Sequence, residues 1–210
     1  MAFDMSKLLV PGHVALLLSE VQRSVVGDLA TRRELAQAAT DACVIPNSAR
    51  LAAAARAHNA PVVHCLANTD PKRFGGNTNA RLFKGVTNRS TADEGSRYDP
   101  AGDMPCPEVW RPADILSPRD HGLSPMADSQ LDRRLRNGGI TTVILAGVSL
   151  NMALVHMTME AVNNSYQVII ASDAVAAVPS DYAGHVLNYT LSFIATIATT
   201  DAILAAWPKT

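Results

Sequence analysis

Apolar residues fall along this chain in two rhythms. Short, nearly unbroken apolar runs occupy 13–20 (HVALLLSE), 62–67 (VVHCLA), 114–118 (DILSP), 141–146 (TTVILA) and 167–171 (QVIIA). Runs of this length suit strands buried on both faces. Between them the spacing changes to three and four. An Ala-rich stretch covers 29–42, and a second helix covers 47–58, with Pro46 in its first turn. A third, at 128–137, has Leu131 and Leu135 four apart. Its Arg133, Arg134 and Arg136 oppose the negative end of the helix dipole, and Gly138 supplies the stop. Asn151 caps a helix over 151–163. One long amphipathic helix is expected over 180–195, and a last short strand or helix over 199–207.

Strands that alternate with helices along the whole chain predict a parallel sheet with helices on both faces. Right-handed crossovers restrict this to a doubly wound, three-layer α/β fold, and 210 residues suit one domain, 1–210. Residues 68–113 break the rhythm. They are rich in Gly, Pro, Asn and Asp, with one helix-like patch at 79–84. An excursion this long is usually functional, so it is expected to cover a site or reach a second subunit.

Composition narrows the function. Charged residues make up 18% of the chain and the net charge is −1. That excludes a disordered chain and gives no electrostatic reason to expect nucleic acid or an anionic membrane. No apolar run approaches the ~18 residues of a membrane span, and residues 1–13 contain no signal-peptide core. Cys43, Cys65 and Cys106 are scattered and odd in number, which fits neither a disulfide framework nor a zinc site. A reducing cytoplasm is the simplest home. A domain this apolar must hide part of its surface, so a homodimer or homotetramer is expected. Phe74, Phe83, Tyr98 and Trp110, in the 68–113 stretch, are expected to pack on the pocket rim or on a neighbouring subunit. Residues 77–83 should lie nearest the ligand.

In a doubly wound sheet, ligands sit at the carboxyl ends of the strands. After the first run come Glu20 and Gln22. A carboxylate at the end of a buried strand is costly unless paired, so Glu20 is either a structural ion pair or a site carboxylate. The second run carries His64 and Cys65, which alternation places on opposite faces. Cys65 reads first as a small core residue and His64 as a packed, hydrogen-bonded histidine. After the third come Arg119, Asp120 and His121; Arg119 is a fixed cation able to hold Glu20 or a substrate carboxylate. After the fourth comes a strand–turn–helix, Gly147 to Ala153, whose N–H groups favour an anion or an oxyanion. No Walker loop, GxGxxG or HExxH occurs, so no cofactor and no metal is expected.

These pieces, in this order, resemble the isochorismatase-like hydrolase superfamily, which includes nicotinamidases and other cysteine amidohydrolases. ALLLSEVQ at 15–22 is similar to the family's first strand, which ends in Asp-x-Gln. PVVHCLA at 61–67 resembles its second strand. The stretch 119–154 resembles its most diagnostic segment, and 160–178 its next helix, strand and Asp-Ala segment. The resemblance implies a sheet in the order 3-2-1-4-5-6, with Glu20, Arg119 and Ala153 converging at its carboxyl edge. It further implies a strained peptide near Val148–Ser149, a non-proline cis bond being the form expected. The catalytic residues would be Glu20 and Arg119, and the substrate would meet Gln22, Phe83, His121, Ser149, Leu150, Asn151 and Ala153.

The departures from the family pattern are chemical. The family triad of Asp, Lys and Cys falls on Glu20, Arg119 and Ala153. Alanine does no covalent chemistry, so an acyl-enzyme cannot form at position 153. The nicotinamidase metal motif fails at 67–71, which has one carboxylate and no histidine. Three readings compete. The first is a hydrolase that uses Glu20 as general acid or base and water as nucleophile. The second is a catalytically silent member that binds a small ligand or serves as an assembly subunit. The third is an amidase that recruits Cys65. The first expects Glu20 free to protonate in a closed pocket. The second expects Glu20 and Arg119 mutually satisfied over a shallow pocket. The third expects an exposed thiolate.

Overall fold

The computed structural model describes residues 4–68, 70, 74–83, 98–127 and 129–207. Its strands are β1 (Val14–Ser19), β2 (Val62–Ala67), β3 (Ile115–Arg119), β4 (Thr142–Gly147), β5 (Gln167–Val175) and β6 (Thr196–Ala198). All pair in parallel, in the order β3-β2-β1-β4-β5-β6. The helices are α1 (Arg33–Asp41), α2 (Val44–Ala57), α3 (Leu131–Asn137), α4 (Val155–Asn163), α5 (Ala183–Tyr189) and α6 (Thr200–Ala206).

The alternation within β1 builds two cores. Val14, Leu16 and Leu18 point to one face and pack with Leu35 and Ala38 of α1, Leu51 of α2 and Ile203 of α6. Ala15 and Leu17 point to the other, against Leu135 of α3, Met157 of α4 and Val186 of α5. A strand apolar at every position is thus explained by a helix layer on each side. Because β1 and β4 are central, their carboxyl ends are covered on both flanks. The residues that follow them form the floor of the site.

The two ends are tied together. Val148 N–H donates to Ser19 O at 2.8 Å, and the Ser19 hydroxyl donates to Val148 O at 2.8 Å. Gly147 is required here: its φ is +109°, and a Cβ would lie 2.1 Å from Ser19 O. The Val148–Ser149 peptide is cis, as the resemblance implied.

Three elements differ from the expected pattern. The single helix over 180–195 is broken into a 3₁₀ turn (Ser180–Tyr182), α5 and a second 3₁₀ turn (Leu191–Phe193). The chain must leave the helix in time to pair Ile169 with Thr196 at the sheet edge, and that pairing overrides the helical spacing. The helix expected over 151–163 opens with a π turn, Leu150–Leu154, before α4. Within 68–113, the described residues include short helical turns at 81–83 and Pro100–Asp103. Residues 84–97 of that stretch lie outside the described ones.

Candidate active site

At the carboxyl edge the sheet opens into a cavity of about 590 Å³. Glu20, Arg119 and Ala153 all line it, from the ends of β1 and β3 and from the π turn after β4. Glu20 leaves β1 with φ +51°, a conformation that side chains other than Gly and Asn rarely adopt. Its N–H remains tied to Cys65 O at 2.9 Å, which locks the turn. Backbone strain of this kind concentrates at functional sites, where surrounding structure enforces it.

The central contact is an ion pair. Arg119 Nη2 donates to Glu20 Oε1 at 2.5 Å, with the two side chains only 9% and 15% exposed. Arg119 Nη1 is buried and has no partner among the described residues. Ala153 is also buried and offers only a methyl group.

Cys65 offers no exposed thiolate. It is fully buried within β2, and burial pushes its thiol up to about 12; nearby Arg119 opposes the shift and Glu20 adds to it. A thiol held protonated is no nucleophile, so the reading that recruits Cys65 is overturned.

The other expected residues divide into two groups. Phe83, His121 and Ser149 line the cavity, together with Asn77, Thr78 and Leu82 of the 77–83 segment. Gln22, Leu150 and Asn151 do not, and their polar groups are engaged elsewhere. The Gln22 amide accepts from Ala67 N–H at 2.8 Å and donates to Ala67 O at 3.0 Å and Asp103 O at 3.1 Å. Leu150 N–H donates to Ala176 O at 2.7 Å, and the Asn151 amide donates to Val178 O at 3.0 Å. These three hold the frame around the site. In the turn after β4, the N–H groups of Met152 and Leu154 are taken by Ser149 O.

Several cavity residues gave no signal in the sequence. Ser24, Arg32, Asn68 and Asp99 line it. Asn68 donates to Asp120 Oδ1 at 2.7 Å, and Asp99 Oδ1 accepts from Ala101 N–H at 2.9 Å. Ser24 and Arg32 lie in the irregular stretch between β1 and α1, where no periodicity marks an inward face. Among the aromatic residues of 68–113, Phe83 faces the cavity and Tyr98 donates to Asp103 at 2.6 Å, while Phe74 stands clear of its own chain at 103% exposure.

The profile of the isochorismatase domain matches residues 14–202. The chain belongs to the isochorismatase family. Solved structures agree in fold. An isochorismatase family protein from Burkholderia thailandensis is 23% identical with a TM-score of 0.73, covering 94% of this chain and 97% of its own. A cysteine hydrolase from Pseudomonas syringae pv. phaseolicola is 19% identical with a TM-score of 0.72, covering 95% and 94%. The N-carbamoylsarcosine amidase from Thermoplasma acidophilum is 21% identical with a TM-score of 0.66, covering 90% and 97%. No curated protein sequence matches the chain. In this isochorismatase-family chain, then, the family fold surrounds a cavity that holds a Glu–Arg pair and an alanine.

Among the described residues, no group of three or more His, Cys, Asp and Glu side chains could hold a metal ion. No helix among them is long and apolar enough to cross a membrane.

Proposed function

We propose that this protein is a small-molecule hydrolase of the isochorismatase-like type that works without a cysteine nucleophile, with Glu20 as general base and water as the attacking group. The observation that carries the reading is the Glu20–Arg119 bond, 2.5 Å long, in the wall of a cavity of about 590 Å³. In that bond Glu20 Oε1 already acts as the acceptor of an N–H hydrogen bond. Of the two roles open to Glu20, accepting a proton therefore fits better than donating one. The cavity has the size of a small-molecule site.

The step follows from this assignment. Glu20 takes a proton from water as the water oxygen bonds to the substrate carbonyl carbon, and the carbonyl π pair moves onto oxygen. When the tetrahedral species collapses, the bond to the leaving nitrogen or oxygen breaks and Glu20 returns the proton to it. The products are an acid and an amine or alcohol. No covalent intermediate forms, consistent with the methyl group of Ala153.

The test is a screen of small amides, esters and enol ethers with wild type beside Glu20→Gln. Turnover of at least one amide or ester is expected, with kcat falling by about 10²–10⁴ in the variant, the usual range for loss of a general base. Equal rates in the two proteins would defeat the assignment of Glu20. Enol ethers as the only class cleaved would restore the proton-donor role. The second reading, a ligand binder without turnover, expects Glu20 and Arg119 mutually engaged; ligand binding with no turnover of any class would select it. The low charge of the chain and the bare ring of Phe74 further support a homodimer or homotetramer. A mass near 22.3 kDa by light scattering at micromolar concentration would reject it.

A further inference from the structure

The cavity wall carries unengaged donors. Each of its acids takes a hydrogen bond on one carboxylate oxygen: Glu20 Oε1 accepts from Arg119, Asp120 Oδ1 from the Asn68 amide, and Asp99 Oδ1 from the backbone N–H of Ala101. Three donors are unengaged. Among the described residues, Arg119 Nη1 is buried without a partner, and so is the hydroxyl of Ser24, a residue of the same wall. Arg32 stands at the start of α1, half-buried. Its side chain makes no cap hydrogen bond, and among the described residues it has no ion pair. It also lines the cavity.

An unpartnered buried donor is costly to leave unmade, and a guanidinium presents its N–H groups as a fork that matches two oxygens in a plane. We infer that the substrate carries a carboxylate, which this cavity holds between Arg119 Nη1 and the Arg32 guanidinium, with the Ser24 hydroxyl as a further donor. Arg32 is then the residue that sets specificity for an acid over its neutral isostere. It brings the one cation on the cavity wall, among the described residues, that no acid already holds. This inference deepens the hydrolase reading by naming a substrate class, and it rests on that reading only for the word substrate.

Binding, read by isothermal titration without turnover, separates the two. The probes are isosteric pairs that differ in charge: acetate and acetamide, benzoate and benzamide, succinamate and succinamide. In at least one pair the wild type is expected to bind the carboxylate tenfold or more tightly. Arg32→Gln should reduce that margin below threefold and leave the neutral partner's affinity unchanged. Arg32→Lys, which keeps the charge and loses the fork, should retain part of it. Thermal denaturation of each variant checks that it is folded. A margin absent from every pair would overturn the inference, as would one that Arg32→Gln leaves intact. Inorganic phosphate binding more tightly than every carboxylate would overturn it too. A protein that binds carboxylates but hydrolyses nothing would leave this inference standing and sink the hydrolase. Hydrolysis confined to neutral substrates would do the reverse.

Discussion

Glu20 with Arg119, and Asp114 with Arg56, are two carboxylate–guanidinium pairs at opposite ends of β3, and they are built in contrary ways. Asp114 is saturated. Arg56 reaches both its oxygens, at 2.9 and 2.6 Å, His64 Nε2 lies 3.0 Å from Oδ2, and Arg111 N–H donates at 2.9 Å. Arg56 adds a bond to Val109 O at 2.6 Å. Burial alone would raise the Asp114 carboxyl, but the hydrogen bonds from Arg56 and His64 outweigh it and hold it below the ordinary 3.8. Glu20 receives one guanidinium hydrogen bond, and its arginine keeps a nitrogen unengaged. The first pair borders no described cavity and fastens α2 to the sheet edge. The second faces open space with hydrogen bonds still to make. Residue types alone do not distinguish the two pairs; the degree of satisfaction does.

That contrast can be broken by experiment. The largest effect is expected from Asp114→Ala. It leaves Arg56 and His64 without their shared acceptor, and removing one member of a buried pair costs about 3–5 kcal/mol. Arg56 is partly exposed, so a loss of about 3 kcal/mol in urea-denaturation stability is expected. A loss below about 1 kcal/mol would show that the saturated cluster is not structural.

Glu20→Gln should act on the other axis. Its loss of stability should be smaller than that of Asp114→Ala, since glutamine keeps an oxygen that can accept from Arg119 Nη2. The same variant should lose most turnover on whichever substrate the screen finds. A large drop in stability with activity retained would interchange the two roles.

A smaller effect is expected from pH. Burial holds the His64 imidazole below its ordinary 6.5, against the upward pull of Asp114. The unfolded chain therefore binds a proton before the native one does as pH falls. The stability contributed is complete above about 6.5 and declines below it, with a slope of at most about 1.4 kcal/mol per pH unit. Asp114, held below 3.8, adds a second decline in more acid solution. Urea midpoints between pH 7 and 5 should show the first decline in wild type and not in His64→Gln. A flat profile in both would mean that His64 titrates as it does in the unfolded chain.

The smallest effect is expected from Ala153→Cys, which should leave amide turnover essentially unchanged. A thiol needs a base fitted to it; Arg119 cannot accept a proton, and Glu20 is one methylene longer than the family's Asp. A rise in amide turnover above wild type would show that Glu20 can serve a thiol as well as water.

The fold was largely legible because burial on two faces leaves a plain mark: five apolar runs, each six or so residues long, between helical spacings. β6 was not, since three residues at an edge carry little pattern, and the helix spacing before it pointed elsewhere. At the site, Glu20 could be found because a carboxylate at the end of LLLS is an anomaly that demands a reason. Gln22 and Asn151 looked equally eligible, being polar at strand ends, yet both serve the backbone. Sequence shows which residues can hydrogen-bond, and only the folded chain shows which have already done so. Arg32 is the converse: one arginine in TRRE looks like any surface charge until α1 sets it at the cavity.

The grip of Gln22 on Ala67 has an unusual consequence. By giving and taking a hydrogen bond at one residue, the side-chain amide reproduces what a neighbouring β-strand would offer, one step past the end of β1. The ladder between β1 and β2 is thereby extended by a side chain in place of backbone, and Asn68 at the cavity rim inherits its position from that false rung. Such a rung tolerates almost no editing. Glutamate has the same shape, but it would turn an oxygen toward the carbonyls of Ala67 and Asp103, so a single NH₂-to-O exchange would convert a splice into a wedge.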